Sequence, residues 1–317
     1  MYNIGIDLGG TNIAAGLVDE NYNIIRKTSV ETKASRPADE ITKDMAKVCK
    51  QLCDEQGISI SDVKSVGIAT PGMADCDHGV VIYANNLPFL NYPIADKLKE
   101  FFPVETVLIA NDANAAAYGE AVAGAGKGYK DFVMLTLGTG VGGGIIIDRK
   151  LYTGFNYAAG ELGHIVIVHD GVQCSCGRKG CWEAYSSATA LIRMTKEKMN
   201  ECKDSVMWEY VGGDIDKVNG RTSFDCMRKG DKAAKEVVDV YMAYLATGTA
   251  NIINIFQPSV VCFGGGVANE KENLLAPLRE MVGKEVYSRS SDTTTQIRSA
   301  VLGNDAGIVG AAALIDM

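Results

Sequence analysis

Three cysteines in one short run, Cys174-x-Cys176-Gly177-x-x-Gly180-Cys181, supply thiolates suited to a tetrahedral zinc site. Two imidazoles lie upstream as candidates for a fourth ligand, His164 and His169, and spacing alone leaves both open. Four protein ligands with no open position would make the metal structural rather than catalytic. The same cysteines without metal would be buried thiols. The intervening glycines favour the metal, since a ligand knuckle needs tight turns.

Two glycine-rich tips suggest phosphate chemistry. Asp7-x-Gly9-Gly10-Thr11-Asn12 sits on an expected hairpin, so it is neither a P-loop nor a dinucleotide fingerprint, both of which open a helix. Glycines there let the backbone approach a polyanion and aim N–H donors at it, with the Thr11 hydroxyl as a further donor. Asp7 at the strand end suits a hydrated magnesium ion. A plain tight turn is the competing reading. The second tip, Gly138-Thr139-Gly140-Val141-Gly142-Gly143-Gly144, again follows an apolar strand. Two such hairpin tips facing one another would clamp a triphosphate. Asn111-Asp112 closes a further apolar strand. A carboxylate at a sheet's C-terminal edge can take a hydroxyl proton during phosphoryl transfer, and it can equally cap the helix that follows.

The elements that must position these groups are readable by period. Residues 2–8, 13–18 and 24–30 read as a meander. A helix from about Pro37 carries Ile41, Met45, Val48 and Leu52 on one face and ends at Gly57. Residues 63–69 and 104–110 read as buried strands, and 113–123 as a helix. The strand–turn–strand opening recurs over 131–147, with its turn spanning 138–144, which suggests two related lobes. Residues 183–201 and 231–256 read as helices separated by a loop at 211–221. Residues 165–168 and 260–263 read as strands, the latter running into Gly264-Gly265-Gly266. Residues 305–315 are small and apolar, suited to a helix packed closely on the first lobe.

Composition narrows the class. The chain has 317 residues, 47% of them hydrophobic and 22% charged, the balance of a globular protein. A net charge of −8 argues against a general nucleic-acid or anionic-membrane surface. No apolar run is long enough to span a bilayer, and Met1-Tyr2-Asn3-Ile4 enters a strand directly, without a targeting signal. Nine cysteines, six of them scattered, read as reduced cytoplasmic thiols.

Asp7-Leu8-Gly9-Gly10-Thr11, the 137–143 turn, Gly160-Glu161-Leu162-Gly163-His164 and Cys174-x-Cys176-Gly177-x-x-Gly180-Cys181-x-Glu183 together resemble the ROK family of sugar kinases and sugar-responsive repressors. The match is collinear along essentially the whole chain. The resemblance implies an α/β, two-lobed, actin-like (hexokinase/ribonuclease H-like) ATPase fold, with a nucleotide and sugar cleft between the lobes. It makes Asn111-Asp112 the catalytic pair, with Asp112 the general base. It selects His164 as the fourth zinc ligand. Glu161, His164 and Glu183 would grip the sugar, with Asn86, Asn111, Asp112 and Gly72 also touching it. ATP would lie on Asp7, Gly9, Gly10, Thr11, Asn12, Gly138, Thr139 and Gly140, with Gly264, Gly265 and Gly266 against the adenosine. Mg2+ accompanies the ATP.

The expected domains are a small lobe over 1–112, completed by a C-terminal helix over 305–317, and a large lobe over 113–304 carrying the zinc motif. The expected function is an ATP-dependent hexose kinase, most similar to bacterial glucokinases, cytoplasmic and a homodimer or homotetramer, without nucleic-acid or membrane partners. N-acetylmannosamine and N-acetylglucosamine kinases share every motif quoted and differ in room around the sugar's C2. A sugar-sensing repressor is disfavoured, because Asp7 comes too early for a DNA-binding module to precede it. An actin-type ATPase would need neither the zinc cluster nor Glu161 and Glu183.

Overall fold

The computed structural model describes residues 1–317. The chain opens with β1 (Tyr2–Leu8), β2 (Asn12–Val18) and β3 (Ile24–Glu31), an antiparallel meander. Helix α1 (Ala38–Gln56) follows, and β4 (Val63–Thr70) runs parallel to β1. A small antiparallel sheet of β5 (Met73–Asp75), β6 (Val80–Tyr83) and β7 (Leu90–Tyr92) leads into α2 (Ile94–Phe101). Strand β8 (Thr106–Asn111) pairs in parallel with β4 and passes directly into α3 (Asp112–Ala123). Next come β9 (Phe132–Leu137), β10 (Val141–Ile147) and β11 (Lys150–Leu151), then α4 (Glu183–Ser186) and α5 (Ala188–Glu201). The chain continues through α6 (Val206–Tyr210), α7 (Thr222–Arg228), α8 (Lys232–Phe256), β12 (Val260–Gly264), α9 (Glu272–Glu285), β13 (Gln296–Ser299) and α10 (Ala306–Ala313).

Two five-stranded sheets result, ordered β3-β2-β1-β4-β8 and β11-β10-β9-β12-β13. In both, a hairpin opens the sheet and a later strand joins its first strand, as the repeated motif suggests. The chain divides into two compact units. One comprises Met1–Val133, Gly144–Gly160 and Ala300–Met317, the other Met134–Gly143 and Glu161–Ser299.

In the first unit, β4 is buried continuously from Ser65 to Thr70, as a parallel strand covered on both faces must be. Ile41, Met45, Val48 and Leu52 of α1 enter the core together with Cys49 and Cys53. Gly57 ends α1 in the left-handed conformation, donating back to the carbonyls of Cys53 and Asp54. Helix α10 packs on β1 and on α3. Its run of small residues is what allows this. A Cβ at Gly5 of β1 would lie 1.9 Å from the Ile308 carbonyl oxygen, so only glycine admits the helix there. Because α3 packs on α10, the first unit extends to Val133, past the boundary expected after residue 112.

Glu120 adds a polar anchor at the same place. Fully buried at the end of α3, its carboxylate accepts the amides of Ala125 (2.9 Å), Val301 (2.9 Å) and Leu302 (2.7 Å).

In the second unit, Trp182 is fully buried, and its Nε1 donates to the Tyr244 carbonyl at 3.0 Å. Helix α8 starts at Asp231, whose side chain accepts the Ala234 amide at 2.7 Å.

Several elements differ from the expectations. Residues 142–144 lie within β10, so the turn is confined to 138–140. The helix expected over 183–201 breaks at Ser187, whose hydroxyl accepts the Ala190 amide and starts α5 anew. Residues 165–168 form no strand; Val166 makes a single bridge to Cys181. Helices α6 and α7 flank the expected loop, and the β5–β7 sheet is a further addition. These short elements carry too few residues to set up a period. No helix is long and apolar enough to cross a membrane.

Candidate active site and metal centre

The C-terminal edge of the first sheet holds two carboxylates. Asp7 lies one residue before the end of β1, and Asp112 is the first residue after β8. Parallel pairing aligns these ends: Asp7 is level with Ala69 of β4, and Thr70 with Asn111. Burial pushes the Asp7 carboxyl up to about 6, and the neighbouring charge of Asp112 pushes the same way. Asp112 is also raised, chiefly through loss of hydration, although its side chain still reaches solvent.

The helix cap is Asn111, one residue before Asp112. Its Oδ1 accepts the amides of Ala113 at 3.0 Å and Asn114 at 3.2 Å, while Nδ2 donates to the Gly72 carbonyl at 3.0 Å. Asp112 Oδ1 also accepts the Ala113 amide, at 2.8 Å. The capping role open to Asp112 is therefore filled by Asn111, whose side chain also hydrogen-bonds the Asp112 carboxylate. Gly72 enters this group through its carbonyl.

The first glycine turn is closed by Gly9 N–H to Asn12 O at 2.9 Å. Thr32, fully buried, pins it from behind: its hydroxyl donates to the Gly9 carbonyl (2.6 Å) and its amide to the Thr11 carbonyl (2.8 Å). In a trans peptide the C=O and the next N–H point opposite ways. Fixing the Gly9 carbonyl toward Thr32 therefore turns the Gly10 amide away from it, as a donor for an anion. Asn86 lies beside Gly10, its Cβ 3.5 Å from where a Gly10 Cβ would be. Thr11 and Asn12 are exposed at the tip. Thr32 was not among the expected site residues, and a lone threonine just past a strand carries no pattern that would reveal it.

The second turn is held in the same way. Ala188 N–H donates to the Gly138 carbonyl and Thr189 Oγ1 to the Thr139 carbonyl, both at 2.8 Å. The Thr139 and Gly140 amides therefore point away from the start of α5. Glu183 Oε2 accepts the Val141 amide at 3.0 Å. At the end of β12, Gly264 is buried, while Gly265 and Gly266 are exposed and lead into a short 3-10 turn.

The metal candidates converge. One ligand atom from each of His164, Cys174, Cys176 and Cys181 lies within 4.8 Å of all the others. His164 Nδ1 sits 3.7 Å from Cys174 Sγ, and Cys176 Sγ 3.6 Å from Cys181 Sγ. Sulfurs about 2.3 Å from a tetrahedral zinc would be separated by just such distances, and the soft donor set suits that ion. The knuckle is shaped by Cys174 N–H to Arg178 O (2.8 Å), Gly177 N–H to Cys174 O (3.1 Å) and Trp182 N–H to Ile165 O (2.8 Å). The Arg178 backbone amide lowers the Cys176 thiol, whereas burial pushes Cys181 up to about 12. His169 is well exposed and stands outside the cluster. The other ring nitrogen of His164, Nε2, faces the exposed Glu161 carboxylate at 3.9 Å.

A separate cavity of about 590 Å³ is lined by Arg279, Arg289 and Arg298 but by none of the residues above. Arg279 is already occupied there by the Ile297 carbonyl and by Glu272.

Comparison with known proteins gives a consistent answer. The chain is 36% identical over 313 residues to a glucokinase of Thermotoga maritima, covering 98% of this chain and 96% of that one. Its fold matches a ROK family glucokinase of Streptomyces griseus solved with glucose and AMPPNP, at TM-score 0.79 and 36% identity over 99% of both chains. It also matches a ROK hexokinase of Thermus thermophilus at TM-score 0.82 and 32% identity, over 98% and 97% of the two chains. These neighbours make the architecture the actin-like, hexokinase-type α/β fold. The model of the ROK family matches residues 3–317, so with two pinned glycine turns, a strand-end aspartate and a Cys/His knuckle, this chain belongs to the ROK family.

Proposed function

We propose that this protein is an ATP-dependent hexose kinase that phosphorylates glucose at its 6-hydroxyl. The observation that carries the reading is Asp112. It is a solvent-reachable carboxylate at a sheet's C-terminal edge, set in place by an adjacent cap, with its proton affinity raised by loss of hydration. Asp112 takes the proton from the sugar O6 as that oxygen attacks the γ-phosphorus. The bond from that phosphorus to the bridging oxygen breaks, and ADP leaves. The Gly10, Thr139 and Gly140 amides receive phosphate oxygens, with Thr11 and Asn12 beside them, and Gly264, Gly265 and Gly266 border the adenosine. Asp7 holds a hydrated Mg2+, which neutralises phosphate charge. Asn86, Asn111, Gly72, Glu161, His164 and Glu183 bind the sugar hydroxyls. His164, Cys174, Cys176 and Cys181 hold a structural zinc. The protein works in the cytoplasm as a homodimer or homotetramer; its nine free cysteines suit that compartment.

The deciding experiment offers Mg2+-ATP with glucose, mannose, N-acetylglucosamine and N-acetylmannosamine in turn and measures kcat/KM for each. Glucose should lead. An N-acetylhexosamine in first place would overturn the substrate, and no transfer to any sugar would overturn the kinase.

A further inference from the structure

Glu183 does more than present a carboxylate to a sugar. Its Oε2 accepts the Val141 amide at 3.0 Å, which fixes the exit of the 138–140 turn. Its Oε1 accepts the Ser175 hydroxyl at 3.2 Å and lies 3.7 Å from Cys174 Sγ, both on the metal knuckle. The residue has little freedom to move. It starts α4 immediately after fully buried Trp182, two residues beyond fully buried Cys181. Gly140 leaves room for it, since a Cβ there would lie 2.3 Å from Oε2. A carboxylate has about four lone-pair directions, so these two bonds still leave acceptors for a ligand.

Every peptide unit of the turn is thus held from outside. Ala188 and Thr189 hold its first two carbonyls, and Glu183 holds the amide that closes it. Without Glu183, the 140–141 peptide loses its one side-chain tether. The Gly138 and Thr139 carbonyls stay tied to Ala188 and Thr189, but the 140–141 peptide is then held only by the turn's own bond, Gly138 N–H to Gly140 O at 3.0 Å, so the turn that presents the Thr139 and Gly140 amides loses its fixed closure.

We infer that Glu183 is a positioning residue joining the Cys/His metal knuckle to the 138–140 turn, so that occupancy of the metal site sets the turn's affinity for nucleotide phosphate. This rests on the reading of that turn as a phosphate receptor in a sugar kinase. The geometry predicts linkage: loosening the knuckle frees Ser175 and Cys174, releases Oε1, and lets Oε2 drift from Val141.

The test uses the zinc-loaded protein, the chelator-stripped protein, and Glu183→Ala in both forms. Binding of Mg2+-AMPPNP is measured by calorimetry and Val141 amide exchange by NMR or mass spectrometry. Stripping the wild type should weaken AMPPNP about 10- to 150-fold, the worth of one charge-assisted hydrogen bond, and should speed Val141 exchange. Glu183→Ala should do the same while keeping its zinc, and stripping it should then change little further, because both changes break one connection. Glu183→Gln, which keeps an acceptor for Val141, should recover most of the affinity. Additive effects of stripping and Glu183→Ala would overturn the connection, as would Val141 staying equally protected in Glu183→Ala. If even the wild type binds no AMPPNP, the kinase reading fails, and Val141 exchange still decides whether Glu183 joins knuckle to turn.

Discussion

The Asn111 side chain bridges two strand ends, donating to the Gly72 carbonyl at 3.0 Å while its oxygen caps α3 through the amides of Ala113 and Asn114. Asp112, the next residue, is thereby set at the sheet edge without itself being needed as the cap. Asp112→Asn should fold with a melting temperature no lower than the wild type's, since it removes a desolvated charge beside Asp7, and should bind sugar nearly normally, yet lose about 10²–10⁴-fold in kcat. Steady-state kinetics beside a thermal melt checks this; a variant with most of its turnover intact would place the base elsewhere.

The Asp7 carboxyl, held up to about 6 from an ordinary 3.8, gives a pH dependence with a definite sign. The folded chain binds this proton more tightly than the unfolded chain. The stability so gained is complete below pH 3.8 and is lost as pH rises through about 6. Asp7→Asn should remove that part of the fall, seen by comparing urea midpoints of the two proteins at about pH 4.5 and about pH 6.5. Magnesium nucleotide should reverse the preference, since a cation beside Asp7 favours its carboxylate. Binding near pH 6 should then release a proton, read as a calorimetric heat that varies with the buffer's ionisation enthalpy. The same variation in Asp7→Asn would show that the proton comes from another group.

Glu120 should matter for stability rather than rate. Glu120→Ala leaves the Ala125, Val301 and Leu302 amides without their carboxylate, and at least one of these is deeply buried. Chemical denaturation should show a loss of about 2–4 kcal/mol. A loss below about 0.5 kcal/mol would mean that water or a shifted backbone replaces the anchor.

The knuckle should hold one zinc per chain, on His164, Cys174, Cys176 and Cys181. Sites of this type contribute about 10–16 kcal/mol of apparent binding energy, so metal loss should disorder the segment around them. Cys176→Ser should lower zinc content on elemental analysis. It should also raise the apparent KM for sugar, because His164 turns its other nitrogen toward Glu161. Metal-free protein prepared without chelator would remove the site.

Much of this arrangement could be read before any coordinates. The apolar stripe of α1, the two glycine turns and the cysteine spacing each use a strong local rule, and the small residues of α10 announced close packing. What escaped notice is non-local. Glu120 looks like any helical glutamate, and its partners at 301 and 302 are 181 and 182 positions away. Thr32 reaches back 23 positions to Gly9. Glu183 was legible as a polar residue near the metal but not as the acceptor for Val141, 42 positions earlier. Local rules cannot register such bonds, because nothing in the neighbouring residues depends on them.

The fit of α10 against Gly5 also bears on how the chain is made. Strand β1 leaves the ribosome well before the helix that covers it, which follows about 300 residues later, on the order of 15–60 s at ordinary synthesis rates. During that interval the face of β1 around Gly5 has no cover, and its unit cannot close. Folding of this unit is therefore expected to be largely post-translational, with an early apolar sheet that chaperones would have to shield. A C-terminal deletion reaching into α10 should accumulate as insoluble chain rather than as a less active enzyme.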